Sequence, residues 1–356
     1  MLAHTHSVGK YNVAGHYISN KLDGTRCFWD GGLSRGLPTA TVPWANIYDP
    51  KTGDRKSKIK PVASGLWSRY GNPIMAPDWW LNQLPCMPLD GELWAGCGNF
   101  QKCRSICSKD VPVSSEWSAM DYAVFGGPPL ASIFMDGKIN CPQFRLEIRR
   151  SVVENWVMNR LELFPDFKYM PPDVQFEQEL ALLCANIPSE GQIYLLQQKR
   201  IPLIDADQYV EQELEKVLDM GGEGVVIRDP LSSWVPQRSH QLLKYKPYKD
   251  AEGIITGFTS GKETERGSKH LGKIGALILN YKDQRLEVSG LTDEEREFVG
   301  AGAKGHAREH PGEDMPSWIR SKHFKIGQTI TFRYAELTDA KIPRLARYLR
   351  HREIDE

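Results

Sequence analysis

Lys21-Leu22-Asp23-Gly24-Thr25-Arg26 is the stretch on which the reading of this chain turns. Asp-Gly is a frequent hairpin dipeptide, because both residues tolerate the positive φ of a tight turn. Read alone, the hexapeptide is a surface turn flanked by charges. The competing reading is chemical: a lysine amine with an arginine near it is suited to attack on a phosphorus. What stands outward along the chain decides between the two.

Three further short motifs follow at long intervals: Asp90-Gly91-Glu92-Leu93, Glu223-Gly224-Val225-Val226-Ile227-Arg228, and Leu243-Lys244-Tyr245-Lys246. In this order and at this spacing the four resemble motifs I, III, IV and V of the covalent nucleotidyltransferases, the family of DNA ligases, RNA ligases and mRNA capping enzymes. Ser34-Arg35 is similar to that family's short Ser-Arg element after the nucleophile. LDGELWAGCGNFQ, from Leu89 to Gln101, resembles DNA ligases of small viral and bacterial type. Asp250-Ala251-Glu252-Gly253 through Gly272-Lys273-Ile274-Gly275-Ala276 resembles the opening of the ligase OB-fold domain. Pro343-Arg344 through Arg350-His351-Arg352-Glu353 resembles motif VI, without the lysine that usually ends it. The resemblance covers most of the chain and is weakest over residues 36–89 and 130–200.

The resemblance implies an α+β nucleotidyltransferase (adenylation) domain with antiparallel sheets over 1–247, followed by an all-β OB-fold domain over 248–356. It implies ATP as AMP donor, Mg2+, and nicked double-stranded DNA as partner. Lys21 would take AMP from ATP, AMP would pass to the 5′-phosphate at a nick, and the 3′-hydroxyl would then attack and release AMP. Glu92 is expected on the ribose hydroxyl and Glu223 on the metal. Phe125 is expected as the adenine platform, with Tyr122 as the alternative. Relatives often carry an aspartate after this aromatic, where the chain has Gly126-Gly127. Arg35 is expected on the nucleotide, and Arg350 and Arg352 on the leaving pyrophosphate.

The chemistry explains the residue types. An ordinary lysine has a pKa of about 10.4, so supplying the neutral amine at pH 7 costs about 4–5 kcal/mol unless the site helps. Neighbouring cations help, and Arg26, Lys244 and Lys246 are the candidates. They would also neutralise a triphosphate. Mg2+ suits one or two protein carboxylates, with phosphate oxygens completing its shell.

The remaining features set the frame. The chain has 356 residues, enough for two domains. Its 45 basic and 45 acidic residues cancel, which excludes a protein that coats nucleic acid by bulk charge but allows local basic surfaces such as Lys51–Lys60 and Arg344–Arg352. Seven cysteines at irregular spacing match no common zinc pattern and read as free thiols; the nine histidines form no metal spacing either. No apolar run is long enough for a membrane span and the N-terminus lacks a secretion pattern, so a cytoplasmic monomer is expected. Helices are expected over Phe176–Ile187 and Asp207–Met220, the latter with Asp207 as N-cap and Gly221-Gly222 as the stop. GVVIRD then reads as a buried strand, and Tyr245–Tyr248 as a hinge before several short strands. Two rival functions remain: an RNA ligase or capping guanylyltransferase with the same lysine chemistry, and a nucleic-acid-binding module that has lost catalysis.

Overall fold

The computed structural model describes residues 1–351 except 48–53, 57–58, 131–149, 172, 263–268 and 339. Contacts divide the chain into two compact units, Met1–Lys246 and Pro247–Glu356.

In chain order the strands of the first unit are β1 (Leu2–Thr5), β2 (Tyr17–Lys21), β3 (Thr25–Asp30), β4 (Leu66–Ser68), β5 (Pro88–Trp94), β6 (Asp121–Gly126), β7 (Ile193–Leu195), β8 (Lys199–Arg200), β9 (Gly224–Arg228) and β10 (Arg238–Tyr245). They form two five-stranded sheets, ordered β1-β10-β9-β2-β8 and β4-β3-β5-β6-β7. Pairing is antiparallel except for β1 with β10 and β6 with β7. The Asp23-Gly24 turn therefore closes no hairpin. It carries the chain from β2 in one sheet to β3 in the other. A Cβ on Gly24 would stand 2.2 Å from the Leu93 carbonyl oxygen, so only glycine allows that passage.

Strand alternation sorts the first sheet into two faces. Ile18, Val225, Ile227 and Leu243 point to one side, against Val210, Leu214 and Val217 of the helix Ala206–Asp219. Ser19, Lys21, Val226 and Lys244 border the cavity described below. The helix begins one residue earlier than expected. Asp205 precedes it at φ 55 and makes no side-chain cap bond. Asp207 lies in the first turn, where an acid complements the exposed N–H groups, and its carboxylate accepts from the Gly9 N–H at 3.3 Å. Gly221, at φ 78, follows its end. The helix Phe176–Cys184 stops three residues short of the expected span.

The second sheet packs on a separate core that includes Trp80, Trp117, Leu89, Leu93, Tyr122 and the helix Phe100–Ser108 through Cys103 and Ile106. In the described part of the aromatic stretch 36–89, Trp80 is buried in this core and Trp44 and Trp67 in another, whereas Trp79 is exposed. The six cysteines among the described residues are free thiols. Among those residues, no helix is long and apolar enough to cross a membrane.

The second unit adds β11 (Lys249–Ser260), β12 (Ile274–Tyr281), β13 (Gln284–Val288), β14 (Thr329–Tyr334), β15 (Glu336–Leu337), β16 (Pro343–Arg344) and β17 (Arg347–His351). Five of them form an antiparallel sheet in the order β13-β12-β11-β14-β17. The twelve-residue β11 pairs with β12 on one side and β14 on the other, the long shared strand of a small barrel. The unit is not purely β: a helix, Ala301–Glu309, packs Ala303 and Ala307 into the core beside Phe298 and Ile319.

Candidate active site

A cavity of about 190 Å³ lies in the first unit, bordered by residues of both sheets. The register of the first sheet lays out one wall. Lys244 stands opposite Val226, and Val226 opposite Ser19, so three adjacent strands present one row to the cavity. Lys21, two residues beyond Ser19, is opposite Gly224.

Glu223 immediately precedes β9 and ties two lysines together. Lys21 Nζ donates to Glu223 Oε2, and Lys246 Nζ to Oε1 at 2.7 Å. Burial alone would push the Glu223 carboxyl up, but Lys21 and Lys246 outweigh it and hold it below the ordinary value. The approach depends on Gly224, at φ 153, where a Cβ would stand 2.4 Å from the Tyr245 carbonyl oxygen. Lys244 makes no such pair; burial, with Lys21 and Lys246 nearby, lowers its pKa. The expected ring of cations around Lys21 is thus a pair of lysines clamped on one acid, with a third lysine beside them.

The second sheet supplies the other wall. Arg26 and Glu92 are paired neighbours on β3 and β5. Burial pushes the Glu92 carboxyl up to about 8, against the pull of Lys21 and Arg26. Arg26 grips Asp90 with two parallel bonds, Nε to Oδ1 at 2.9 Å and Nη2 to Oδ2 at 2.5 Å, and also donates to the Met1 carbonyl. Asp90 Oδ2 takes a further bond from Trp234 Nε1 at 3.0 Å. Arg26 was expected to help activate Lys21. Its charge is instead committed to Asp90, although its side chain still borders the cavity.

Phe125 reaches the cavity through a break in pairing. β5 and β6 pair Asp90 with Gly126 but Gly91 with Val124, so Phe125 has no partner and the strand bulges there. Its ring borders the cavity with the Arg26 guanidinium 5.6 Å from its centroid. Tyr122 lies fully buried in the core, its hydroxyl donating to the carbonyls of Cys27 and Leu89 at 2.9 and 3.2 Å. The Gly126-Gly127 departure has a local cause. Buried Glu179 receives the Gly127 N–H at 2.7 Å and would lie 3.1 Å from a Cβ on Gly126, so an aspartate there would meet a buried carboxylate.

Arg35 does not border the cavity; its guanidinium bonds Asp78 at 2.6 Å and Asn82 at 2.8 Å. Arg350 lies on β17 of the second unit, and Arg352 falls outside the described residues. Residues 51–53 and 57–58 of the basic stretch also fall outside them. Sequence reasoning missed Arg228, which borders the cavity, pairs with buried Glu179 at 2.7 Å and lies 3.9 Å from the centroid of Phe176. Its place at the end of the Glu223–Arg228 run was the available signal. Trp234 and Gln198 were missed too, and neither stands in a motif.

Comparison with known proteins follows the same division. Residues 267–352 match the family described as DNA ligase OB-like domain. The chain is 23% identical over 353 residues to a DNA ligase of Haemophilus influenzae, covering 99% of this chain and 92% of that one. A solved structure from a structure-function study of Lig E DNA ligases, on DNA binding with a minimal scaffold, superposes with a TM-score of 0.62 at 22% identity. That match covers 99% of this chain and 98% of the other. A second structure, Pmar-Lig_PreS3, superposes at 0.53 with 18% identity over 98% of this chain and 66% of its own. The fold is that of a ligase adenylation domain followed by an OB domain.

Proposed function

We infer that this chain is an ATP-dependent DNA ligase, joining nicked strands of duplex DNA through AMP carried on Lys21. The observation that carries the assignment is a cavity bordered by Lys21 and Lys244 on one wall and by Glu92 and Phe125 on the other, with Lys21 tied through Glu223 to Lys246.

In this reading the nucleotide's base lies on Phe125, its ribose at Glu92 and its phosphates toward Lys21, Lys244 and Lys246. The Lys21 amine attacks the α-phosphorus. A P–N bond forms, the bond from the α-phosphorus to the bridging oxygen breaks, and pyrophosphate leaves with its electron pair. The DNA 5′-phosphate then displaces Lys21 from the AMP, and the 3′-hydroxyl displaces AMP. Each transfer develops charge on phosphate oxygens, and Lys244 and Lys246 are the fixed cations that stabilise it. Asp90 holds Arg26 in place against Phe125, so the wall on which the base rests is braced from behind.

The donor set fits Mg2+. Among the described residues no cluster of three or more His, Cys, Asp or Glu side chains could hold a metal alone. Glu223 would hold a divalent ion here as its protein oxygen, and the ion, when bound, would neutralise phosphate charge. Loss of Glu223 to the ion would release Lys21 and Lys246 from their shared acid, turning both toward phosphate.

The deciding experiment is incubation with labelled ATP and magnesium, followed by a nicked DNA duplex. Wild-type protein should form a covalent AMP adduct that the duplex discharges, and Lys21→Ala should form none. An adduct of normal yield in Lys21→Ala would remove Lys21 from the mechanism. Parallel arms with GTP and with nicked RNA separate this reading from a capping enzyme or an RNA ligase. Failure of the wild type to form an adduct with either nucleotide would favour a binding module.

A further inference from the structure

We infer that Gln198 selects the nucleobase, accepting a hydrogen bond from the 6-amino group of adenine; this deepens the ligase reading and rests on it. Lys21 and Lys244 fix the phosphate end of the cavity, and Phe125 the base end. β2 pairs Tyr17 with Arg200 and Ile18 with Lys199. One residue further along the same register sets Gln198 opposite Ser19. The wall row therefore runs Lys244, Val226 and Ser19 across three strands to Gln198, the residue just before β8, cationic at one end and an uncharged amide at the other. The second sheet agrees. Val124 pairs with Leu195, and the Leu196 N–H donates to the Val124 carbonyl at 2.7 Å, so the segment carrying Gln198 leaves β7 beside Phe125.

Three uncharged polar side chains border the cavity: Ser19, Asn20 and Gln198. A serine hydroxyl rotates to donate or accept and cannot discriminate by itself. Asn20 pairs with Val225, whose side chain belongs to the core on the opposite face, so strand alternation turns Asn20 that way. Gln198 is different because its amide is held in one orientation. Its Nε2 donates to the Leu196 carbonyl at 3.3 Å, which opposes a flip of the amide and keeps Oε1 as the acceptor on the other side. Adenine offers an amino donor at C6 and guanine a carbonyl acceptor at the same place. An acceptor at Gln198 thus pairs with adenine and opposes guanine. A site that hydrogen-bonds one substrate group rejects analogues through the polar atom left unpaired.

The test measures kcat/KM for adduct formation by the full chain with ATP, GTP and purine riboside triphosphate, which lacks the 6-amino group. Wild type should favour ATP over the deaminated analogue by about tenfold, the worth of roughly one well-made hydrogen bond. Gln198→Ala should lose most of that ratio by slowing ATP alone, and the ATP-over-GTP preference should narrow with it. Gln198→Leu, close in volume and unable to accept, should behave the same way, and serves if alanine loosens the strand. An unchanged ATP-to-analogue ratio in either variant, or no preference in the wild type, overturns the role of Gln198. A wild type that forms no adduct with any nucleotide would instead overturn the ligase reading.

Discussion

Replacing Glu92 by glutamine should stabilise the ligand-free protein at neutral and alkaline pH and leave adduct formation near the wild-type level. The carboxyl sits at about 8 against an ordinary 4.5, chiefly because it is buried, with Lys21 and Arg26 acting in the opposite direction. An acid whose folded pKa is raised keeps its proton in the folded state after the unfolded chain has lost it. Stability is therefore full below pH 4.5 and declines as pH rises toward 8, at about 1.4 kcal/mol per pH unit. Over the interval from 4.5 to 7 that comes to roughly 3 kcal/mol, an upper limit because water entering the cavity screens the charge. Glutamine does not ionise and escapes the decline. Thermal melts at pH 5, 6, 7 and 8 should show the variant and wild type close together at pH 5. The gap should open to at most about 6–12 °C in the variant's favour at pH 7, given about 2–4 °C per kcal/mol for a unit of this size. Labelled ATP should still yield adduct with the same variant, since glutamine, like the protonated acid, both donates and accepts at the ribose. A gap that does not change with pH would refute the buried, proton-retaining state of Glu92.

Glu223→Gln should have the opposite signature, because its carboxyl is held low by Lys21 and Lys246. Removing one partner of buried ion pairs costs about 3–5 kcal/mol, read as a fall in the urea midpoint at pH 7. The wild-type advantage should disappear as pH falls below 4.5, and an unchanged midpoint at pH 7 would mean that the two lysines do not need this acid. Asp90→Asn should release Arg26 and weaken the Trp234 bond, lowering the melting temperature and the adduct yield together; a fully active, fully stable variant would show that Arg26 needs no anchor. Sealing of a nicked duplex should weaken steeply between 50 and about 200 mM salt, whereas adduct formation without DNA should weaken far less. Equal salt dependence of the two would count against phosphate-dominated DNA binding.

The residues that meet at the cavity were legible in the sequence because each is tied to a backbone feature with its own signature. Lys21 and Arg26 flank a glycine with no room for a side chain, and Glu223 stands between a helix stop and a β-branched strand. Glu92 is in a strand whose neighbour carries Arg26. What was not legible depends on pairing across long separations. The commitment of Arg26 to Asp90 requires β3 and β5 to lie side by side, and nothing local to either announces it. Arg35 follows the nucleophile at a familiar distance, yet a short helix, Asp78–Leu81, brings Asp78 against it. Gln198 immediately precedes a two-residue strand with no pattern of its own, and only that strand's register with β2 gives it a place. The helix start at Ala206 was misplaced because Asp207 has the composition of a cap, while Asp205 takes the left-handed turn that precedes it.

Glu92 at the cavity and Glu223 behind Lys21 are set apart by environment in a way that suits the proposed chemistry. Glu223 is ionised because two lysines hold it, and Glu92 keeps its proton at neutral pH because burial outweighs its cationic neighbours. A second ionised carboxylate beside the phosphates would repel them; a protonated one does not, and it can donate to a ribose oxygen as well as accept. Nucleotide binding should reinforce the division. Phosphates arriving at Lys21 neutralise one of the cations that pull Glu92 down, so its proton is held more firmly when the site fills. At the same time they compete with Glu223 for the lysines. Under the proposed reading, the same anion that protects the neutral state of one acid would loosen the clamp of the other, and Lys21 would be freed where its target has just bound.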